Sequence, residues 1–109
     1  MITILKSSEK GLIRLTEPNT GCWINVIDPT PQELAQLQEL GVPLDYLTYA
    51  LDVDERARTE RENGELLIVL RVPYFQGEMA DIPYTTFPLG IIFTSDFLIT
   101  VFKRENDIL

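Results

Sequence analysis

The feature that most constrains this chain is an uninterrupted run of five apolar residues, LLIVL at 66–70. Such a run, bounded by polar residues, predicts a central strand that is buried on both faces of a sheet. A strand of this kind needs cover on both faces, yet the rest of the sequence predicts only two short helices. Either the helices lie on opposite faces, or something outside these residues covers one face. We favour the second interpretation.

Further strands are predicted on both sides of this run. MITILKS at 1–7 and GLIRLTE at 11–17 alternate with a period of two, and CWINVID at 22–28 follows a PNTG turn. Pro73 either ends the apolar run or places its end on a sheet edge. The segments IPYTTFPLGIIF and FLITVF then predict two strands, and the three residues TSD at 94–96 between them suit an antiparallel hairpin.

Two helices are predicted between the third strand and the apolar run. The first has Thr30 as its N-cap, Glu33 to complete a capping box, and Gly41 as its left-handed stop. The second begins at Pro43 and carries a leucine-rich stripe. This order predicts an α+β fold with a mixed, largely antiparallel sheet and helices packed on it, in a single domain over residues 1–109.

Composition excludes several classes of function. Nine basic residues against seventeen acidic ones give a net charge of −8, which repels nucleic acids and is compatible with cations or basic partners. The absence of histidine excludes Ser-His and Cys-His nucleophiles and imidazole-based zinc sites. Cys22, beside Trp23, is expected to be a buried hydrophobic residue. We therefore expect no enzyme, no small-molecule substrate and no tightly bound cofactor.

The charged segment that follows the second helix, DVDERARTERENG at 52–64, allows two interpretations. Residues 56–62 alternate as a strand would, which predicts a solvent-facing edge strand with weak cross-strand ion pairs. Asp52 and Asp54, at the end of the helix, offer oxygen ligands instead. Because Mg²⁺ needs only one or two carboxylates plus water, they are candidate ligands for weakly bound, hydrated Mg²⁺.

Three segments in this order resemble the CorA-type magnesium transporter family: WINVIDPTPQELAQLQE, GVPLDYLTYALDVDERARTERENGELLIVLRVPYF and PLGIIFTSDFLITVFKRE. The resemblance is to the amino-terminal cytosolic domain and covers nearly the whole chain from Trp23 onward. It implies part of a homopentameric membrane channel for Mg²⁺, and often Co²⁺ or Ni²⁺, on the cytoplasmic side of the cell membrane. The family's long helix and transmembrane helices are not in these residues, so the resemblance implies a fragment that can self-associate through its uncovered sheet face.

The resemblance also implies feedback regulation, in which Mg²⁺ between neighbouring cytosolic domains holds the pore closed. The family's acidic pair aligns with Thr48 and Tyr49, so the candidate metal ligands are the nearest carboxylates, Asp45, Asp52 and Asp54. The predicted function is a Mg²⁺-sensing gating domain of a divalent cation channel. The alternative is a stand-alone acidic protein-interaction module, without a metal role, that binds through a sheet face or edge.

Overall fold

In a computed structural model of the chain, residues 1–52, 57–75 and 84–103 are described, and they form seven strands and two helices. The helices are α1 (Pro31–Glu39) and α2 (Leu44–Leu51). The strands are β1 (Ile2–Ser8), β2 (Gly11–Leu15), β3 (Cys22–Ile27), β4 (Arg58–Glu62), β5 (Glu65–Phe75), β6 (Tyr84–Phe93) and β7 (Phe97–Phe102).

The seven strands form one sheet in the order β2-β1-β3-β7-β6-β5-β4. Neighbouring strands are antiparallel except for β3 and β7, which lie side by side in parallel after the chain has passed through both helices and three strands. The α+β class and the mixed, largely antiparallel sheet are therefore as predicted. The turn at 94–96 joins β6 to β7, as expected.

The apolar run at 66–70 is not the central strand, so that prediction is wrong. The run lies in β5, next to the edge strand β4, whereas the middle position of the sheet belongs to β7. Leu67 and Val69 are completely buried on one face, but Leu70 is 44% exposed on the other. Among the described residues, the helices cover only one of the two faces of this run.

Both helices pack on the same face of the sheet. Leu37 of α1 and Leu47 and Ala50 of α2 are buried against side chains of β3, β5, β6 and β7. This excludes the interpretation in which the helices lie on opposite faces. The core that they enclose consists of Cys22, Ile24, Val26, Leu37, Val42, Tyr46, Leu47, Ala50, Leu67, Val69, Ile92, Ile99 and Val101. Cys22 is therefore buried, as expected.

The opposite face is not covered by any described element, and we call it the open face. A chain of hydrogen bonds crosses it: Trp23 Nε1 donates to Thr100 Oγ1 at 2.9 Å, and Thr100 Oγ1 donates to Asn25 Oδ1 at 2.8 Å. Trp23 is only half-buried there and lies outside the core. Among the residues that strand register assigns to the open face are Trp23, Asn25, Leu66, Ile68, Leu70, Phe87, Leu89, Ile91, Phe93, Leu98, Thr100 and Phe102, of which Phe87 and Phe102 are buried.

The predictions made from the capping residues of the first helix, from Gly41 and from Pro73 are confirmed. The capping box is present, since Thr30 Oγ1 accepts from the Glu33 N–H at 3.1 Å and Glu33 Oε1 accepts from the Thr30 N–H at 3.0 Å. Gly41 has a φ of +97°, the left-handed conformation that ends a helix. Pro73 does not end β5 but pairs with Thr86 beyond the last residue that β4 covers, so it lies at a sheet edge.

Candidate functional site

Two of the candidate metal ligands, Asp45 and Asp52, belong to α2 and its C-cap, and the orientation of α2 on the sheet follows from its apolar stripe. Tyr46, Leu47 and Ala50 are buried, because their spacing places them on one side of the helix. Tyr49 and Leu51 are partly buried against the same core, whereas Leu44 and Thr48 are exposed. Asp45, in the first turn, and Asp52, the C-cap, are both exposed.

Two of the three predicted ligands, Asp45 and Asp52, are not brought together by the structure. They stand at opposite ends of α2, seven positions apart in sequence, which corresponds to about 10 Å along the helix axis. Asp54 lies outside the described residues. Within residues 1–52, 57–75 and 84–103, no three Asp, Glu or Cys side chains form a group that could hold a metal ion.

The two positions to which the resemblance assigns an acidic pair are Thr48 and Tyr49, and neither is a carboxylate. Thr48 Oγ1 donates to the Leu44 carbonyl oxygen at 3.0 Å, one turn back in the same helix. Tyr49 is half-buried, and its ring lies under a guanidinium group. Because a hard divalent cation prefers carboxylate oxygens, these two residues do not fit such an ion as a ligand pair.

The guanidinium over Tyr49 belongs to Arg58 of β4, with the Arg58 Cζ atom 4.2 Å from the ring centroid. Arg58 Nη2 also forms an ion pair with Glu60 Oε1, two residues along the same strand. Register pairs Arg58 with Val69 and Glu60 with Leu67, so both charged side chains lie on the helix-bearing face. This distance and geometry are those of a cation–π contact between α2 and the edge strand.

This arrangement corrects one prediction for the charged segment. β4 is an edge strand, as predicted, but its described ion pair runs along the strand and not across to a neighbouring one. Arg58 is only 33% exposed, because it covers an aromatic ring and does not simply project into solvent. The alternation of charges predicts that Arg58 and Glu60 share a face. Which face that is depends on the register with β5, which the sequence does not show.

Tyr46, another aromatic residue of α2, is buried beneath the helix, and its hydroxyl lies 3.5 Å from the Glu65 carbonyl oxygen. Burial raises the pKa of Tyr46, and the negative charges of Glu62, Glu65 and Glu60 raise it further. The phenol therefore stays neutral at pH 7 and serves as a core residue with a polar edge.

Two concavities lie away from the candidate site. A groove of about 270 Å³ between α1 and β1 is lined mainly by apolar side chains, among them Ile2, Ile4 and Leu40. A more polar pocket of about 280 Å³ lies against the β6–β7 turn and carries the carboxylates Glu65 and Asp96. Neither lining contains a cysteine.

In the part of the chain that the structure describes, neither helix has the length and hydrophobicity needed to cross a membrane. The helices span nine and eight residues, whereas a membrane-spanning helix needs about 20 apolar residues.

Known proteins resemble this chain in both sequence and structure. The family model for CorA-like Mg²⁺ transporter proteins matches residues 18–109. The cobalt/magnesium transport protein CorA of Methanocaldococcus jannaschii is 29% identical over 111 residues, which is 93% of this chain and 33% of that protein.

Two solved structures from the same organism share the fold. The complete CorA magnesium transporter superimposes with a TM-score of 0.77 at 25% identity, over 96% of this chain and 33% of that one. The soluble domain of CorA superimposes with a TM-score of 0.75 at 25% identity, over 96% of this chain and 41% of that one. The chain thus spans about a third of the full-length relatives. Because the family model covers most of its residues, this chain belongs to the CorA-like Mg²⁺ transporter family.

Proposed function

We propose that this chain is the cytosolic regulatory domain of a divalent cation transporter, and that it senses Mg²⁺ without catalysing a reaction. The observation that carries the proposal is the match of 96% of the chain to the soluble domain of CorA from M. jannaschii. The net charge of −8 supports a cation as the ligand, because it favours cations electrostatically.

The proposed assembly is a homopentamer in the cell membrane, with this domain on the cytoplasmic side. The open face supports a larger protein around this domain. Leu70 and Phe93 are 44% and 41% exposed on it, more than an apolar sheet face shows when it is covered. The Trp23 indole N–H, the Thr100 hydroxyl and the Asn25 amide oxygen already bond to one another on this face, so covering it leaves these three groups paired. We propose that other parts of the longer protein cover it.

The proposed Mg²⁺ ligands are Asp52 and Asp54, which follow α2 and are two residues apart in sequence. Mg²⁺ keeps several waters and needs few protein carboxylates, so the site is weak and hydrated. Asp45, at the other end of the helix, would make a separate contact, such as one shared with a neighbouring subunit. Pairing across a subunit boundary is compatible with the exposure of both Asp45 and Asp52.

The test is thermal unfolding of the 109-residue chain with and without MgCl₂, against NaCl of equal ionic strength. Mg²⁺ at about ten times its Kd should stabilise the wild type by about 1.4 kcal/mol. The double variant Asp52→Asn/Asp54→Asn should lose this stabilisation, whereas Glu39→Gln, an exposed carboxylate on α1, should keep it. Asp45→Asn tests separately whether the N-terminal end of α2 contributes to the stabilisation by Mg²⁺. Equal melting temperatures with and without Mg²⁺ in the wild type would contradict sensing by this domain.

The open face also favours a second candidate, a protein-interaction module without a metal role. An acidic domain with an exposed apolar face can bind a partner through that face. This candidate predicts association that is unchanged by Mg²⁺ and by the Asp52→Asn/Asp54→Asn double variant. Sedimentation of both proteins with and without MgCl₂ separates the two functions, since only the sensing domain should respond to the ion.

A further inference from the structure

The two edges of the sheet differ in how they are protected against pairing with another strand. β4, at one edge, has charged side chains at four of its five positions, and charges on an edge strand oppose the addition of a further strand. β2, at the other edge, has the sequence GLIRL and a single charged residue, Arg14. The edge at β2 therefore lacks the protection that β4 has.

β2 presents both backbone groups and apolar side chains to solvent. Within the described residues, β1 is its only neighbouring strand, and no backbone hydrogen bond outside the sheet involves residues 12–15. An edge strand of this kind keeps a row of N–H and C=O groups on its outer side ready to pair with another strand. Leu12 is 57% exposed and Ile13 is 43% exposed, so covering this edge also buries apolar surface.

Strand register gives the two faces of β2 different characters. Leu15 is opposite Ile4, which in turn is opposite the core residue Ile24. Leu15 and Ile13 therefore lie on the helix-bearing face, because side chains two residues apart in a strand share a face. Arg14 alternates with them and lies on the open face. A strand added to this edge thus meets apolar side chains on one face and a positive charge on the other.

The charge around β2 is opposite in sign to the charge of the whole domain. Residues 2–16 contain one acidic side chain and three basic ones, Lys6, Lys10 and Arg14. Lys6 Nζ donates to Asn19 Oδ1 at 3.0 Å, but within the described residues the side chains of Lys10 and Arg14 form no ion pair. These two charges can therefore pair with an acidic partner. Acidic residues elsewhere on the domain oppose it only weakly, since exposed charges more than about 8 Å apart are largely screened at physiological salt.

We propose that β2 binds an extended acidic segment of a partner protein, which adds to the sheet as a further strand. Apolar and acidic residues alternate in this segment, so that its apolar side chains pack on Ile13 and Leu15 and its carboxylates face Arg14. The inference goes beyond the proposed function and does not rest on Mg²⁺ sensing, because β2 carries none of the candidate metal ligands and lies at the opposite edge of the sheet from β4.

A second copy of this chain fits the edge less well. Two β2 strands related by a twofold axis pair antiparallel, with side chains of the same face opposite each other. Within β2, Arg14 would then stand opposite Leu12 or opposite the second Arg14. Neither arrangement gives the guanidinium an opposite charge, and like charges directly opposite each other are destabilising. An acidic segment supplies the missing charge.

The experiment measures the binding of short labelled peptides to the 109-residue chain by fluorescence anisotropy in metal-free buffer. A peptide in which valine alternates with glutamate should bind the wild type. A peptide with lysine in place of glutamate should bind at least about tenfold more weakly, because its charges repel Arg14. A third peptide keeps the glutamates but has methylated backbone nitrogens. It should also bind at least about tenfold more weakly, since it cannot donate hydrogen bonds to the strand.

Arg14→Glu tests the site, and Arg61→Glu is its matched control. Arg61 is exposed on β4, at the protected edge, so the two variants change the net charge by the same amount. Arg14→Glu should weaken binding of the glutamate peptide by about tenfold, because a cross-strand ion pair becomes a repulsion. Arg61→Glu should change it by less than about twofold. Arg14→Glu should also bind the lysine peptide more tightly than the wild type does, which a misfolded variant would not do.

Several results would overturn the inference. Absence of binding of the glutamate peptide to the wild type is one, and equal losses in Arg14→Glu and Arg61→Glu, which would place the binding elsewhere, is another. Equal binding of the methylated peptide would show attraction between charges without strand addition. A dimer of Leu70→Ser/Phe93→Ser that Ile13→Glu dissociates would identify a second copy of this chain as the occupant of β2, and not an acidic segment.

Discussion

A Cβ atom placed on Gly90 of β6 would lie 2.3 Å from the Cβ of Ala50 on α2. The helix therefore rests directly on the backbone of the strand at this point, and both residues are completely buried or nearly so. The same contact orients α2, and with it the ends that carry Asp45 and Asp52. The small size of two residues thus determines where the candidate site stands on the sheet.

Gly90→Ala is expected to push α2 away from the sheet. Overpacking of this kind should lower the free energy of unfolding by about 1–3 kcal/mol, measured by urea denaturation. Ala50→Gly alone costs about 1 kcal/mol of helix propensity. Because Ala50→Gly removes the clashing methyl group, the double variant should be less destabilised than the sum of the two single variants. Strict additivity would contradict the close approach.

Thr100→Val is expected to destabilise the domain through the hydrogen-bond chain on the open face. Trp23 Nε1 loses its acceptor and Asn25 Oδ1 loses its donor, so the free energy of unfolding should fall by about 1–2 kcal/mol. Thr86→Val is the control, because its exposed hydroxyl accepts from Arg71 Nε at 3.1 Å and water can replace it. Denaturant unfolding of the two variants, monitored by the fluorescence of the single tryptophan, measures both changes in stability. An equal cost for the two variants would contradict the prediction.

Glu33 should make the stability of the domain depend on pH in the acidic range. The Thr30 N–H bonded to this carboxylate, followed by the Met1 ammonium group, lowers its pKa below the ordinary value of 4.5. A pKa that is lower in the folded state means that the stabilisation is complete above pH 4.5 and is lost as pH falls through the folded value.

Glu33→Gln is therefore expected to destabilise the domain at pH 7 by about 0.5–1 kcal/mol, through a weakened helix cap. The difference from the wild type should close as the pH falls through the lowered folded-state pKa of Glu33, because the wild-type carboxyl is then also protonated. Denaturant unfolding of both proteins across a pH series makes the measurement. Glu39→Gln, exposed on the same helix, should differ little from the wild type throughout the series. A gap that persists at low pH would show that charge is not the cause.

The open face is expected to drive self-association of the isolated chain. Leu70→Ser/Phe93→Ser removes two exposed large apolar side chains from this face and should shift sedimentation towards the monomer, with a stability change of less than about 1 kcal/mol. Leu44→Ser is the matched control, because Leu44 is 52% exposed on α2, on the other side of the sheet. An equal effect of the control would indicate nonspecific association.

The boundaries of the elements could be predicted because their signals are local. A helix cap needs only a hydroxyl and a carboxylate three residues apart, as in Thr30 and Glu33, and a helix stop needs only a glycine such as Gly41. The alternation of β1 and β3 and the short turn before β7 are likewise visible in a few neighbouring residues. Resemblance to a known family then added membership of that family, which the family match bears out.

The order of the strands and the choice of residues that meet at the candidate site depend on contacts between residues far apart in sequence, so only the tertiary structure decided them. The parallel pairing of β3 with β7 joins segments about 75 residues apart, and it moves the apolar run of β5 away from the centre. The register of β4 against β5 decides that Arg58 faces Tyr49, while the seven-residue spacing keeps Asp45 and Asp52 apart on one rigid helix. The sequence alone determined which residues are apolar, charged or conformationally special, because these properties belong to each side chain. Tertiary packing decided which of them meet, because contact depends on how separate elements are placed in space.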